Sequence, residues 1–151
     1  MSPTLTISID RTSLALTPLV MNGHKDPDPS PLGITTYAEP AMQARLAYAP
    51  TSAYIHGEAP LGWAWQETML NFGVATFGQT TENASRLLLA ELRDAITQFS
   101  YVVTVTVDDA TPEAWTCRPG SLMPSGDRSV IDVTHHIPSW SVSLPAHPVR
   151  S

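Results

Sequence analysis

Gln79-Thr80-Thr81-Glu82-Asn83-Ala84-Ser85-Arg86-Leu87-Leu88-Leu89-Ala90-Glu91-Leu92-Arg93-Asp94-Ala95-Ile96-Thr97-Gln98-Phe99, followed by Ser100 and Tyr101-Val102-Val103-Thr104-Val105-Thr106-Val107, decides the fold. Its first half has helical periodicity. Ala84, Leu87, Leu88, Leu92, Ala95, Ile96 and Phe99 recur at steps of three and four, which predicts one apolar stripe on a helix over about 81–99. Thr81 is the expected N-cap, since its hydroxyl can accept an orphan backbone N–H. Glu82 just inside suits the positive end of the helix dipole and pairs with Arg86 at i+4, worth a few tenths of a kcal/mol. From Tyr101 the period becomes two. Tyr101, Val103, Val105 and Val107 share one face of a strand, with Val102, Thr104 and Thr106 on the other. Asp108-Asp109 and Pro112 then supply turn chemistry.

Outward from this cassette the chain is mostly strand. Thr4–Ile9 alternates, and after the Asp10-Arg11-Thr12 turn Leu14-Ala15-Leu16 is expected to return as its hairpin partner. Short strands are expected at Met42–Tyr48, Ala53–His56 and Gly62–Trp65. A longer one follows from Glu67 to Phe77, with Leu70, Phe72, Val74 and Thr76 on one face. Gly73 and Gly78 mark a bulge and a strand end. Glu113–Cys117 is expected to pair with the Tyr101 strand, carrying Trp115 and Cys117 on one face. Ser129–His135 and Trp140–Leu144 close the set. The expected class is α+β, mostly β, antiparallel, with one helix.

With 151 residues the chain is expected to form a single domain, 1–151, able to bury roughly two-thirds of its unfolded surface. No apolar run is long enough to cross a bilayer as a helix, and the first twenty residues lack the pattern of a secretory signal. The charge of −6, with only 15% charged residues, offers no basic track for phosphates, so specific nucleic-acid binding is not expected. A lone cysteine, Cys117, cannot form an internal disulfide.

Ten of the fourteen prolines cluster at 27–40, 112–124 and 138–148. Pro27, Pro29 and Pro31 stiffen residues 22–40 toward an extended form that forbids regular sheet or helix. Connections of that length are commonly functional. Such a segment either laps a neighbouring molecule or straps its own domain, and the sequence leaves both open. The tail from Pro145 to Ser151 is expected to be a second extended arm.

Catalytic and metal chemistry find little support. His135-His136 would point to opposite faces of a strand and cannot share an ion there, and His24, His56 and His147 lie in separate segments without paired-ligand spacing. Cys117 beside Trp115 suits a buried small hydrophobe better than a nucleophile. No nucleophile elbow, phosphate-binding glycine loop or dinucleotide fingerprint occurs. Asn83-Ala84-Ser85 matches a glycosylation triplet but falls on the helix surface. No enzyme activity, cofactor or metal is therefore expected. Trp63 and Trp65, two apart on one strand, admit a sugar-stacking platform, although core or interface anchoring is the commoner use.

The order of the pieces resembles a known family. Val74-Ala75-Thr76-Phe77-Gly78 precedes a helix ending Leu92-Arg93-Asp94-Ala95-Ile96; then come Val103-Thr104-Val105-Thr106-Val107-Asp108 and Trp115-Thr116-Cys117-Arg118-Pro119-Gly120. Gly126-Asp127-Arg128 and Trp140-Ser141-Val142-Ser143-Leu144-Pro145, with Pro148, complete it. Over about 54–149 this is similar to minor tail proteins of long, non-contractile-tailed phages of actinobacteria, and to the N-terminal part of distal tail proteins. The resemblance implies a tail-tube-like fold of two packed antiparallel sheets (sandwich or barrel) flanked by the helix. It implies a structural role in a ring, a hexamer by expectation, at or near the tail tip. DNA would pass through the channel without specific binding, and the partners would be tube, tape-measure and hub proteins of the virion tail, assembled in the host cytoplasm with no membrane involved. Distal tail proteins are longer and carry a second domain, which this chain has no room for; a tube subunit or a terminator or connector protein is the alternative within the class. A small carbohydrate-binding module using Trp63, Trp65 or Trp140 is the alternative outside it. A ring needs two complementary surfaces per subunit. The expected interface residues are His24, Asp26, Pro27, Pro29, Pro31 and Leu32 in the first arm, with Pro145 and Pro148 in the second.

Overall fold

A computed structural model of the chain describes residues 4–27, 29–40, 44–50, 58–65, 68–125, 130–134 and 138–148, with side chains omitted for 44–50, 58–65 and 132. The sheet is built on the valine ladder. Strand β7 (Tyr101–Val107) buries Tyr101, Val103 and Val105 and pairs antiparallel with β8 (Glu113–Cys117), in the register Tyr101↔Cys117 and Val103↔Trp115. On its other side β7 takes β1 (Leu5–Ile9), which in turn pairs with β2 (Leu19–Asn22). The long strand β10 (Ser139–Pro148) lies along β8 at its C-terminal end and along β9 (Ser121–Pro124) at its N-terminal end. Its opposite edge takes β6 (Thr68–Thr76), which pairs with β3 (Leu32–Ala38).

The eight-stranded sheet therefore runs β2-β1-β7-β8-β10-β6-β3, with β9 beside β10. It curls into a half-barrel, and its two end strands touch at a parallel bridge between Gly23 and Ile34. Ile7, Ile9, Leu70, Val74, Val103, Trp115, Val142 and Leu144 fill the inside. The remaining pair, β4 (Ala44–Pro50) with β5 (Glu58–Trp65), is a separate two-stranded hairpin inserted between β3 and β6. The α+β, mostly β class is the observed one.

Helix α1 (Glu82–Ile96) packs against the sheet. Thr81 caps it through its hydroxyl, which accepts the Ala84 N–H at 3.1 Å. The helix ends where its carbonyls find other donors: Ile96 O accepts Gly120 N at 2.8 Å and Tyr101 Oη at 3.0 Å. The buried face is Ser85, Leu89, Leu92, Ala95 and Ile96. The expected stripe is thus rotated: Leu87 is 62% exposed and Phe99, beyond the helix end, 90%. Three successive leucines, 87–89, allow the stripe to be drawn in more than one way, and packing selects Leu89.

Four other expectations are corrected. Leu14–Leu16 is not the return strand. Asp10 accepts the N–H and hydroxyl of Thr12, which starts a single 3-10 turn over Thr12–Leu14, and Ala15 closes it at φ 56°. The partner of β1 comes later, at β2. Residues 22–40 are not excluded from the sheet, because β3 starts directly after Pro31 and carries the bulge. That bulge lies between Ile34 and Thr36, opposite Gly73, where a side chain would meet the Thr35 and Thr36 hydroxyls at 2.9 and 2.6 Å. Pro145–Pro148 is no free tail but the end of β10. Finally, Val130–Thr134, expected as strand, is a short helix, α2. The place a strand there would need beside β10 is taken by β9, and Ser125 N donates to Ser139 O at 3.1 Å to close the loop that carries α2. The expected strand at Ala53–His56 lies outside the described residues.

Candidate interaction surface

The structure ties the expected first arm inward at His24, Asp26 and Leu32. Asp26 is buried beneath the loop. One of its carboxylate oxygens accepts the Thr4 hydroxyl, and the other accepts Leu5 N at 3.1 Å and Gly23 N at 3.0 Å. Burial alone would push this carboxyl up, but together these donors outweigh burial and hold it below the ordinary carboxylate range. His24 stacks on Phe77 with ring centroids 5.5 Å apart and planes 12° apart, above Gly33, where a Cβ would lie 3.1 Å from the Phe77 ring. His24 N donates to Ile34 O at 3.0 Å and Phe77 N to Pro31 O at 2.8 Å. Ser30 Oγ accepts Asn22 N and donates to Leu32 O. Leu32 is core. The loop is a clasp joining the two ends of the half-barrel. Of its expected interface residues only Pro27, Pro29 and Pro31 are exposed. Pro145 and Pro148 are half-buried in β10, opposite Met69 and Trp115.

Outward-facing apolar surface includes the three apolar residues of α2, Val130, Ile131 and Val133, and two grooves on opposite flanks of α1. The first groove, of about 590 Å³, is bounded by Leu14, Leu16, Phe99, Glu91 and Asp94. Its wall is the segment 10–17, pinned to the helix by several polar contacts. Arg11 Nη1 meets Glu91 Oε1 at 2.7 Å, and Arg11 Nε donates to Thr17 O at 2.6 Å. Gln98 Nε2 donates to Asp10 O and Ala95 O, both at 2.7 Å, while its side-chain oxygen accepts the Ser13 hydroxyl. The second groove, of about 470 Å³, runs between α1 and the β9–β10 pair. Leu89, Ile96, Leu122 and Trp140 form its apolar part, with Arg86 and Arg93 on its helical rim. Periodicity could not find these grooves, because each joins α1 to a segment distant in sequence. The available signal was Phe99, an aromatic placed after the helix should end.

The opposite end of the barrel is acidic. Residues 107–113, the β7–β8 turn, are all exposed and include Asp108, Asp109 and Glu113. Asp108 sits at φ 50°, with its N–H on Thr4 O at 2.7 Å and with Ala110 N on Val107 O, so the tip is a defined turn. Tyr37 registers the same field. Its hydroxyl is pushed up to about 12 by burial, then by the negative charges of Glu113 and Glu39.

Cys117 is fully buried and its thiol is pushed up to about 12 by burial, so at neutral pH it is a protonated core residue. Among the described residues no three His, Cys, Asp or Glu are placed to hold a metal, and no helix is long and apolar enough to cross a membrane. The side chains of Trp63 and Trp65, and residues His135 and His136, lie outside the described residues. Trp140 is a wall of the second groove.

No family model matches the sequence, and no curated protein matches it. Among solved structures, one chain of the phage P2 baseplate in its activated conformation with Ca superimposes with a TM-score of 0.59 at 11% identity. The chain shares its fold with a phage baseplate protein. The match covers 95% of this chain and 44% of that one, so this chain spans less than half the length of its baseplate counterpart. A chain of the anti-feeding prophage baseplate aligns over 99% of this chain and 93% of its own length at 9% identity, with a TM-score of 0.43, too low to argue from.

Proposed function

We propose that this chain is a structural protein of a phage tail, a subunit of a ring at or near the tail tip around the DNA channel. The observation that carries the proposal is the shared half-barrel, aligned over 95% of the chain with a baseplate protein. Its work is assembly: copies of itself, a hexamer by expectation, and neighbouring tube, tape-measure and hub proteins are the partners. DNA passes without specific binding, and the virion tail is its location. A net charge of −6 suits a channel that must not retain DNA. No catalytic step is assigned to it.

The clasped loop changes where the contacts are sought. Asp26, His24 and Leu32 are occupied within the chain, and among the described residues the exposed prolines and the flanks of α1 are surfaces open to neighbours. Labelled purified tails imaged by electron microscopy test the proposal directly. Density for the chain in a ring at the tip supports it, and a position in the tube or at the head-proximal end moves the chain to the tube or terminator class. Absence from the particle rejects the structural role.

A further inference from the structure

We propose that the groove between α1 and β9–β10 receives the acidic β7–β8 tip of a second copy of this chain, a head-to-tail contact that rests on the ring reading above. The groove has the chemistry for it. Its apolar floor is Leu89, Ile96, Leu122 and Trp140, and among the described residues the only charged side chains lining it are Arg86 and Arg93. In a chain with 8 Lys and Arg against 14 Asp and Glu, the groove wall carries two cations, while the acids beside them, Glu82 and Asp94, stand outside its lining. Both guanidinium groups are held by exposed ion pairs on their own helix, Arg86 with Glu82 at 3.5 Å and Arg93 with Asp94 at 3.6 Å, pairs of a kind worth little in water. With side chains 67% and 62% exposed, they are free to turn toward an incoming acid.

The tip supplies the complement. Val107, 40% exposed, can enter the apolar floor while Asp109 and Glu113 meet the arginines. A two-stranded turn is narrow, with strands about 4.8 Å apart, and a groove of about 470 Å³ can admit its end. The positions are also right. β7 starts at Tyr101, whose hydroxyl is bound to the end of α1, and seven strand residues place the tip roughly 20 Å away along the barrel. Socket and plug therefore occupy different ends of one molecule. Two distinct complementary patches define a heterologous contact, which closes into a ring when the rotation per subunit permits.

Charge reversal tests this on the full chain. Sedimentation velocity compares the wild type with Asp109→Lys/Glu113→Lys, with Arg86→Glu/Arg93→Glu, and with the chain carrying all four changes. Asp108 is left in place because it holds the turn, and thermal melting verifies that each variant folds. The wild type is expected to self-associate and to weaken about tenfold between roughly 0.05 M and 0.5 M salt. Each one-sided reversal should weaken association by at least about tenfold, and the fourfold variant should recover it. Association unchanged by either reversal overturns the contact while leaving a ring possible through other surfaces. Loss on reversing the groove but not the tip overturns the tip as its occupant. A wild type that stays monomeric at every concentration and salt, alone and with tail proteins, is a failure of the ring reading itself.

Discussion

The proline-rich loop and the end of helix α1 are opposite cases. The loop is polar, stiff and irregular, and its sequence suits an outward arm as well as a strap. It is fastened inward, with Asp26 collecting donors from Thr4, Leu5 and Gly23 and with His24 stacked on Phe77. The helix end is apolar and by sequence belongs to the core. Yet Phe99 faces water, beside a groove walled by a segment from elsewhere in the chain, and Leu87 on the same helix is exposed as well. Proline reports stiffness, and stiffness serves a strap as well as an arm. An apolar residue at helical spacing reports a face only where the helix continues, and α1 stops at Ile96.

Substitutions can break this contrast. Leu92→Ala, from the buried side of α1, should cost about 3 kcal/mol in denaturant unfolding, from lost burial plus the cavity left behind. Asp26→Asn should cost about 2 kcal/mol at neutral pH, because an amide replaces a carboxylate that accepts from three groups. Its pH signature separates it from a packing defect. The folded carboxyl is held below its ordinary value, so its contribution is complete above about pH 4 and is lost as pH falls through the lowered folded value. The asparagine variant should therefore lose less stability than wild type on acidification over that range, read by urea midpoints at each pH. Pro29→Ala should cost only about 0.5 kcal/mol, through added freedom of the unfolded chain. A loss of several kcal/mol there would make Pro29 part of the clasp. Phe99→Ser should leave the unfolding free energy within about 0.5 kcal/mol, because the ring is already in water. A large loss would place Phe99 with the core and collapse the contrast between the two faces.

The legible parts of the fold were those determined by a local period. The valine ladder of β7, its hairpin with β8, strand β1, the Thr81 cap and the burial of Leu70, Phe72, Val74 and Thr76 on β6 follow from spacing and end signals alone. The parts that escaped are settled by competition at a distance. β3 follows three prolines because it needs only to pair from Leu32 onward, with Pro31 contributing a carbonyl to Phe77 N. β9, four residues long, has no pattern of its own and exists because β10 offers an edge. Once it occupies that edge, Val130–Ile131–Asp132–Val133 has no partner, and the same β-branched run coils into α2. For the candidate surface the residues Arg86, Arg93 and Trp140 were visible individually. Their meeting depended on β9–β10 lying beside α1, which no single segment encodes.

The central position of β10 carries a consequence for how the molecule comes into being. β6 and β8 are made before it, and each must wait for this strand before its open edge is filled. Pairs such as Leu70 with Leu144 span more than seventy residues, so the sheet gains its middle only when β10 closes that separation. Until then β6 and β8 each present an unpaired strand edge. A refolding chain should therefore be most prone to aggregation before Ser139–Pro148 docks between its two neighbours.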